Sequence, residues 1–258
     1  MSYTSTMASP LSRVHPLLAE PRDRAPMLGV VVVEELVDAI VSGRLEPGDA
    51  LPPEGPLSEQ FGVSRTVIRE SVKRIEEKGL VTIARGRGTE VRPMTAWNTL
   101  DSVVLTALIK HDETLGILDE LSVVRAQLES VMAAEAAQLR SADALDNLDR
   151  ALQRMRESTN DEDAFRSADV EFHEAVMELS GNRLASNIAR TLMQRALESS
   201  RYHGVDTPDA FLVTVREHEA IHAAVTAGDQ VRAQEAMNSH ILEAWRRRRL
   251  PDHRGAAG

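Results

Sequence analysis

Histidine and aspartate side chains in the second half of the chain have the types and spacing of a metal site. Asp169 and His173 are four residues apart in a helical pattern, and His218 and His222 repeat that spacing. Residues four apart share one helix face, and His240 lies on the last predicted helix. One carboxylate with two or three imidazoles, gathered from several helices, can bind a divalent metal. Alternatively, these histidines are core or surface residues paired with nearby acids, namely Glu171, Glu217 and Glu219.

A second group of side chains has the chemistry of DNA recognition. Ser64 begins a predicted helix and is followed by Arg65, Thr66 and Arg69. The two arginines are four residues apart and share an exposed face, because the apolar residues between them must face inward. Arginine makes the commonest bidentate contact to guanine, and serine and threonine hydroxyls can hydrogen-bond phosphate. We therefore expect these four residues to contact DNA.

The segment Arg85-Gly86-Arg87 lies between two short predicted strands. Glycine lets the backbone approach phosphates or the minor groove closely, so we expect these three residues to contact DNA as well. The alternative is that the basic residues of this region are solvated charges. That interpretation suits Lys73 and Lys78 better than it suits Arg65 and Arg69. The balancing acids would be Glu70, Glu76 and Glu77.

The elements that would position these residues are typical of a winged helix-turn-helix, which places one helix in the major groove of DNA. A tight turn at Gly62-Val63-Ser64 separates two helical patterns, and two strands follow. We expect a flexible tail over 1–27 and a DNA-binding domain over 28–92. Within it we predict helices from Leu28 to Gly43, after Pro53, and from Ser64 to Gly79, and strands at 80–83 and 89–91.

Beyond Pro93 the sequence predicts only helices. Long alanine- and leucine-rich periodic segments are broken by short polar turns, without strand signals. We expect an antiparallel all-α bundle over 93–250 and a tail over 251–258, so the fold class is mainly α. The predicted helices are 98–110, 114–139, 142–158, 162–180, 183–203, 208–227 and 229–249.

The net charge of −10 is unusual for a DNA-binding protein, but the charge is unevenly distributed. Residues 63–92 carry eight basic and four acidic side chains, whereas residues 93–258 carry 18 basic and 27 acidic ones. Phosphates respond to charges within about 10 Å, so a local basic surface suffices for DNA binding. The run Arg246–Arg249 ends the last predicted helix, where we expect cations to stabilise the helix dipole.

The chain contains no cysteine, which excludes disulfides and zinc–thiolate sites and favours the reducing cytoplasm. It has no apolar run long enough to span a membrane. Its first residues do not have the basic-then-apolar pattern of a secretory signal. We therefore expect a cytoplasmic protein without a membrane partner.

Several motifs in register resemble those of the GntR family of transcriptional regulators. They are Leu51-Pro52-Pro53-Glu54, Gly62-Val63-Ser64-Arg65, Arg69-Glu70-Ser71-Val72, Gly79-Leu80 and Gly86-Arg87-Gly88-Thr89. The resemblance implies an operator-binding winged helix-turn-helix. One departure is Gly55, since members of the family often have arginine directly after the motif glutamate as a further DNA contact.

The second half is similar to the FCD ligand-binding domain of the FadR subfamily. The resemblance implies a divalent metal, with zinc favoured and nickel, manganese or iron as alternatives. His222 lies outside the metal pattern, and we expect it to be a core or supporting residue. The residues that match the pattern are Asp169, His173, His218 and His240.

Arg125 lies where that domain has an arginine near its effector site. A guanidinium facing a metal would bind a carboxylate through two hydrogen bonds. The alternative role is a salt bridge to Glu129, one helical turn away. The segment Trp97–Asp101 also resembles the start of this domain in regulators that respond to sugar acids.

The sequence thus predicts a transcriptional repressor and not an enzyme. We expect it to bind double-stranded operator DNA and a small carboxylate effector. One helix-turn-helix reads one half-site, so a homodimer is expected to read a palindrome. One alternative is a metal-dependent hydrolase that uses the His/Asp site, although no motif for a separate general base is present. The other is a regulator whose histidines bind the effector without a metal.

Overall fold

The computed structural model describes residues 26–84, 88–140, 142–203 and 208–249, which are mainly helical. The expected tails lie almost entirely outside these residues, as do Arg85, Gly86 and Arg87 at the expected wing tip. The first part of the chain forms three helices and a hairpin. These are α1 (Pro26–Val41), α2 (Glu54–Phe61), α3 (Arg65–Glu77), β1 (Val81–Ala84) and β2 (Gly88–Val91).

Helices α2 and α3 form the predicted helix-turn-helix. Gly62 ends α2 in a left-handed conformation with φ of 63°. Ser64 then caps α3, because its hydroxyl accepts a hydrogen bond from the Val67 amide at 3.3 Å. Ile68 and Ile75 are fully buried on the face of α3 that packs against α1. The opposite face of α3 therefore remains exposed.

The two strands form an antiparallel hairpin beside α3. Val81 pairs with Val91, and the register continues to Ala84 opposite Gly88. The carboxylate of Glu76 in α3 accepts a hydrogen bond from the Ile83 amide at 2.8 Å. This contact ties the hairpin to α3 and completes the winged helix-turn-helix.

The second part of the chain is entirely helical among the residues that the structure describes. Helix α5 is its central element and packs against α7, α8, α10 and α11. The predicted fold class, a winged helix-turn-helix followed by an all-α domain, is confirmed. The helices are α4 (Ser102–His111), α5 (Gly116–Leu139), α6 (Ala142–Glu157), α7 (Glu162–Ser180), α8 (Arg183–Glu198), α9 (Ser200–His203), α10 (Pro208–Ala227) and α11 (Gln230–Arg248).

Helix α4 belongs to both cores. Val104 and Leu108 are buried in the core formed by α1, α3 and the hairpin. Leu105 and Ile109, on another side of the same helix, pack in a cluster with Trp245 of α11. The helix therefore joins the DNA-binding domain to the bundle by packing as well as by chain connection.

Several helix boundaries differ from the prediction by one to four residues, and one predicted helix is broken in two. The first helix begins at Pro26, within the expected tail. Helix α4 begins at Ser102 rather than 98, because Met94–Ala96 forms a 3-10 turn and Asp101 caps α4. The predicted helix over 183–203 is broken at Ser199, whose backbone is extended. Within the described ranges, none of the helices combines the length and apolar character needed to cross a membrane.

Candidate DNA-reading face and metal centre

The first turns of α3 carry the expected DNA-contacting residues. Ser64, Arg65, Thr66 and Arg69 are all exposed. Ser64 uses its hydroxyl as the helix cap, and Arg65, Thr66 and Arg69 lie on the outer surface. The structure therefore brings these four residues to one end of the recognition helix.

The two arginines of this face have different surroundings. Nε and Nη2 of Arg69 each lie 2.9 Å from a carboxylate oxygen of Glu54, at the start of α2. This hydrogen bonding lowers the pKa of Glu54. The guanidinium of Arg65 lies near Gly55, where a Cβ atom would be 3.6 Å from Nη2. Arg69 is thus engaged by an acid, whereas Arg65 borders a residue without a side chain.

Lys73 in α3 and Lys78 directly after it are both paired with acids, but only Lys73 pairs with one of the expected acids. Lys73 Nζ lies 2.8 Å from Glu70 on the same helix. Lys78 pairs with Asp101, the residue that caps α4. Lys78 therefore has a role in joining α3 to α4.

Four side chains from α7, α10 and α11 converge inside the bundle. Asp169 and His173 come from α7, His218 from α10 and His240 from α11. One ligand atom from each residue lies within 4.8 Å of the others. The three imidazoles are buried and the aspartate is partly buried. The structure thus brings together all four residues of the expected metal set.

Each imidazole of this cluster has its Nδ1 atom against an acceptor. The acceptors are two carboxylates and a backbone carbonyl, so Nδ1 must carry the proton. Nε2 of each ring is then left with a lone pair, which is the form that binds a metal. The pairs are His173 with Glu129 Oε2 at 2.5 Å, His218 with the Thr214 carbonyl at 2.8 Å, and His240 with Glu217 Oε2 at 2.9 Å.

The ligand atoms that face the centre of the cluster are hydrogen-bond acceptors, and in this tautomer they carry no proton to donate. Nε2 of His173 lies 3.2 Å from Nε2 of His240, although both atoms are acceptors in this tautomer. Nε2 of His218 lies 3.2 Å from Oδ1 of Asp169, and both atoms are buried without a hydrogen bond of acceptable geometry among the described residues. Buried acceptors without donors are unfavourable. A cation would satisfy all four atoms, and three imidazoles with one carboxylate suit zinc.

The ionisation states also fit a metal. Burial lowers the pKa of His240 to about 3, so this imidazole is neutral. Burial alone would raise the pKa of Asp169, but its contact with the side chain of His218 holds it well below its usual value. Neutral imidazole and ionised carboxylate are the forms that coordinate a metal.

The acids proposed as alternative partners of the histidines are mostly engaged elsewhere. Glu171 pairs with Arg154 and Glu219 with Arg156 at the surface. Glu217 does contact His240, but through Nδ1, which leaves Nε2 free for a metal. His222 pairs with Asp149 of α6 instead of joining the cluster. These contacts are compatible with the metal interpretation.

Arg125 lies on α5 and is only 4% exposed. Its Nε donates to Glu129 Oε1 at 2.8 Å, and its Nη1 donates to the Tyr202 hydroxyl at 3.0 Å. The salt bridge considered as an alternative role for Arg125 is therefore present. Burial alone would lower the pKa of Arg125, but the charge of Glu129 outweighs that effect and raises it. The guanidinium thus keeps its charge inside the bundle.

Sequence reasoning did not connect Glu129 with the metal ligands, and it considered Glu217 only as an alternative partner of the histidines. The available signals were an acid four residues after Arg125 and an acid directly before His218. Tyr202 had no spacing signal at all. Arg247 was expected only to stabilise a helix dipole, yet it donates to both oxygens of Glu217 at 2.7 Å.

Two family models match the chain. The model described as bacterial regulatory proteins of the gntR family matches residues 28–91. The model of the FCD domain matches residues 120–243. The first match covers the winged helix-turn-helix, and the second covers most of the bundle, including the cluster of histidines.

Named regulators are similar to this chain over most of their length. The galactonate operon transcriptional repressor of Escherichia coli K12 is 32% identical, over 84% of this chain and 94% of the relative. The transcriptional regulator LutR of Bacillus subtilis is 30% identical, over 78% of this chain and 92% of LutR. A solved structure of Lar, described as controlling the Listeria monocytogenes agr system, has a TM-score of 0.55 at 18% identity, over 86% of this chain and 97% of Lar. That last similarity supports the fold alone.

Proposed function

The chain belongs to the GntR family of bacterial regulatory proteins, with an FCD domain in its second half, and on this premise we propose how its two sites work together. It is a DNA-binding transcriptional regulator, because its family and its relatives are regulators and not enzymes. The expectation of a regulator instead of a hydrolase is thus confirmed. We propose that it is a cytoplasmic, homodimeric repressor whose operator binding is controlled by a small organic acid.

The observation that carries this proposal is the converging set of buried ligand atoms in the FCD domain. Asp169, His173, His218 and His240 would hold the metal, for which zinc fits the donor set best. A bound divalent cation supplies positive charge that attracts an anionic ligand. The four residues lie in the FCD domain, which is separate in sequence from the winged helix-turn-helix, and this supports a sensing role.

The chemistry around the metal residues favours a carboxylate effector. Arg125 holds a permanent positive charge in the same interior, one carboxylate away from His173. A guanidinium can bind a carboxylate through two hydrogen bonds. We therefore propose that Arg125 contributes to effector binding. The relative named as a galactonate operon repressor supports a sugar acid as the effector class.

Helix α4 provides the connection between effector and operator in this proposal. Because it packs in both cores, a changed packing of the bundle alters the position of the winged helix-turn-helix. The effector then shifts the population of chains that fit the operator. We retain the division at 28–92 and 93–250 as the functional one, with α4 as the shared element.

The DNA-reading part of the proposal is tested with Arg65→Ala. Arg65 lies at the start of the recognition helix and is exposed, so its loss should remove specific operator binding while the fold is kept. We expect a loss of about 1–3 kcal/mol per half-site. Gel-shift titration of an operator selected from random DNA measures it. Arg74→Ala, an exposed arginine in the last turn of the same helix, is the control; unchanged affinity of the Arg65 variant would refute the assignment.

The metal part of the proposal is tested with His218→Gln and its neighbour one turn later, His222→Gln. His218 Nε2 faces the cluster, whereas His222 pairs with Asp149 outside it. We expect about one metal ion per wild-type chain, the same content in the His222 variant, and most of it lost in the His218 variant. Elemental analysis of the purified chains gives the result. A metal content unaffected by His218→Gln would show that the cluster does not hold the metal, and would favour a regulator whose histidines bind the effector directly.

A further inference from the structure

We propose that Glu129 is a positioning residue that keeps the proton on Nδ1 of His173 and thereby leaves Nε2 free for the metal, while Arg125 fixes Glu129 in turn. The inference rests on the proposed metal site and extends it to a residue that does not touch the metal. The observation behind it is that the buried carboxylate of Glu129 accepts hydrogen bonds from Arg125 and from His173.

The two oxygens of Glu129 are used separately. Oε1 accepts from Nε of Arg125 at 2.8 Å, and Oε2 accepts from Nδ1 of His173 at 2.5 Å. An ionised carboxylate is an acceptor at both oxygens, so it satisfies both donors without conflict. His173 must then carry its ring proton on Nδ1.

The same arrangement recurs at a second ligand, which argues against coincidence. Glu217 accepts from Nδ1 of His240 at 2.9 Å and is held by Arg247 through two contacts of 2.7 Å. Glu129 is the more buried of the two carboxylates, with its side chain 1% exposed against 23% for Glu217. Solvent replaces Glu129 less readily, so its substitution should have the larger effect.

Glutamine at position 129 would separate the two functions of the carboxylate. A side-chain amide offers one acceptor oxygen and one donor nitrogen. The oxygen will face the charged guanidinium of Arg125, because a charged donor forms the stronger hydrogen bond. The amide nitrogen then faces His173, which must accept at Nδ1 and carry its proton on Nε2. A proton on Nε2 blocks coordination at that atom.

The test is a Zn²⁺ titration of the metal-stripped full-length chain by calorimetry with a competing chelator. We expect Glu129→Gln to bind Zn²⁺ about 10- to 100-fold more weakly than the wild type. Adding Arg125→Met to Glu129→Gln should restore most of the affinity, because the amide can then turn its oxygen toward His173. Loss of packing alone would not be reversed by a second substitution.

Nitrogen NMR of the imidazoles gives a readout that is independent of affinity. In the metal-stripped wild type the proton of His173 should lie on Nδ1, and in Glu129→Gln it should lie on Nε2. Glu219→Gln is the matched control, since Glu219 is a surface acid of α10 that pairs with Arg156. Its Zn²⁺ affinity should equal that of the wild type, and thermal unfolding of each variant verifies the fold.

Two results would overturn the inference while leaving the metal site in place. One is a Zn²⁺ affinity of Glu129→Gln equal to that of the wild type. The other is a further loss of affinity when Arg125→Met is added. A wild-type chain that does not bind Zn²⁺ would overturn the metal site and this inference together.

Discussion

Gly62 and Gly79 stand just before and just after the recognition helix, both with left-handed backbone, at φ of 63° and 81°. Their surroundings differ. A Cβ atom at Gly79 would lie 2.2 Å from the carbonyl oxygen of Ala96, in the segment that leads to α4. Around a Cβ atom at Gly62 there is open space within 4 Å among the described residues. A side chain at either position strains the backbone, but only at Gly79 does it also collide with another segment.

This difference predicts unequal costs for the same substitution. Gly62→Ala should lower the free energy of unfolding by about 1–2 kcal/mol, the strain of a left-handed non-glycine residue. Gly79→Ala should lower it by about 1–3 kcal/mol more, because the backbone of Ala96 has to move. Urea unfolding of both variants measures the difference. Equal losses would contradict the close packing of the Ala96 segment against Gly79.

At the scale of the elements, helix α4 is attached to the DNA-binding domain at both of its ends. Asp101 caps its first turn and pairs with Lys78 at the end of α3. In its last turn, Lys110 and His111 each contact Asp38 of α1 at 2.7 Å. The helix is therefore attached to the DNA-binding domain at both ends, while the side that carries Leu105 and Ile109 packs on the bundle. A displacement of the bundle against α4 would reach the recognition helix directly.

The helices of the bundle were predictable because their signals are local. The predicted helix at 162–180 coincides with α7, since Asp161 caps its start and Gly181 ends it. The break at Ser199 was not predictable, because the chain there lacks glycine or proline and the extended backbone follows from tertiary packing. The start of α4 was missed because Asn98, within the predicted helix, instead donates its amide to the Lys78 carbonyl at 2.8 Å.

The candidate site was predictable only in part. The resemblance gave the four converging residues, and their helical spacing explains why Asp169 and His173 meet. Spacing could not show that Arg65 and Arg69 have different surroundings, because Arg69 pairs with Glu54, a residue 15 positions away in the chain. The link from Glu129 to His173 spans 44 positions and depends on how α5 packs against α7. Such contacts are set by tertiary structure and leave no local pattern.

At the scale of the whole molecule, the basic surface is small and the chain is acidic, which limits how tightly one copy can bind DNA. Residues 63–92 have a local charge of +4, whereas the chain as a whole carries −10. A single recognition helix should therefore bind DNA modestly and with strong salt dependence. A homodimer doubles the contacts, and it requires a self-complementary surface.

Helix α5 offers such a surface on the side away from its buried residues. Val124 and Val131 are 47% and 46% exposed and lie two turns apart, with Leu128 between them. Leu184, at the start of α8, is 73% exposed, and α8 packs beside α5. Exposed apolar side chains of this kind mark interaction sites, and we propose that this side of α5 meets a second copy of the chain in the proposed homodimer.

Val131→Asp tests the assignment, because a carboxylate there would be buried without a partner in the dimer. We expect the variant to sediment as a monomer. Its affinity for an operator with two half-sites should fall about 100-fold, whereas its affinity for one half-site should stay unchanged.

Val231→Asp, at an exposed valine in the first turn of α11, is the control and should remain dimeric. A dimeric Val131 variant would show that the copies meet on another surface. If that variant were monomeric yet bound the full operator as tightly as the wild type, operator binding would not depend on dimerisation.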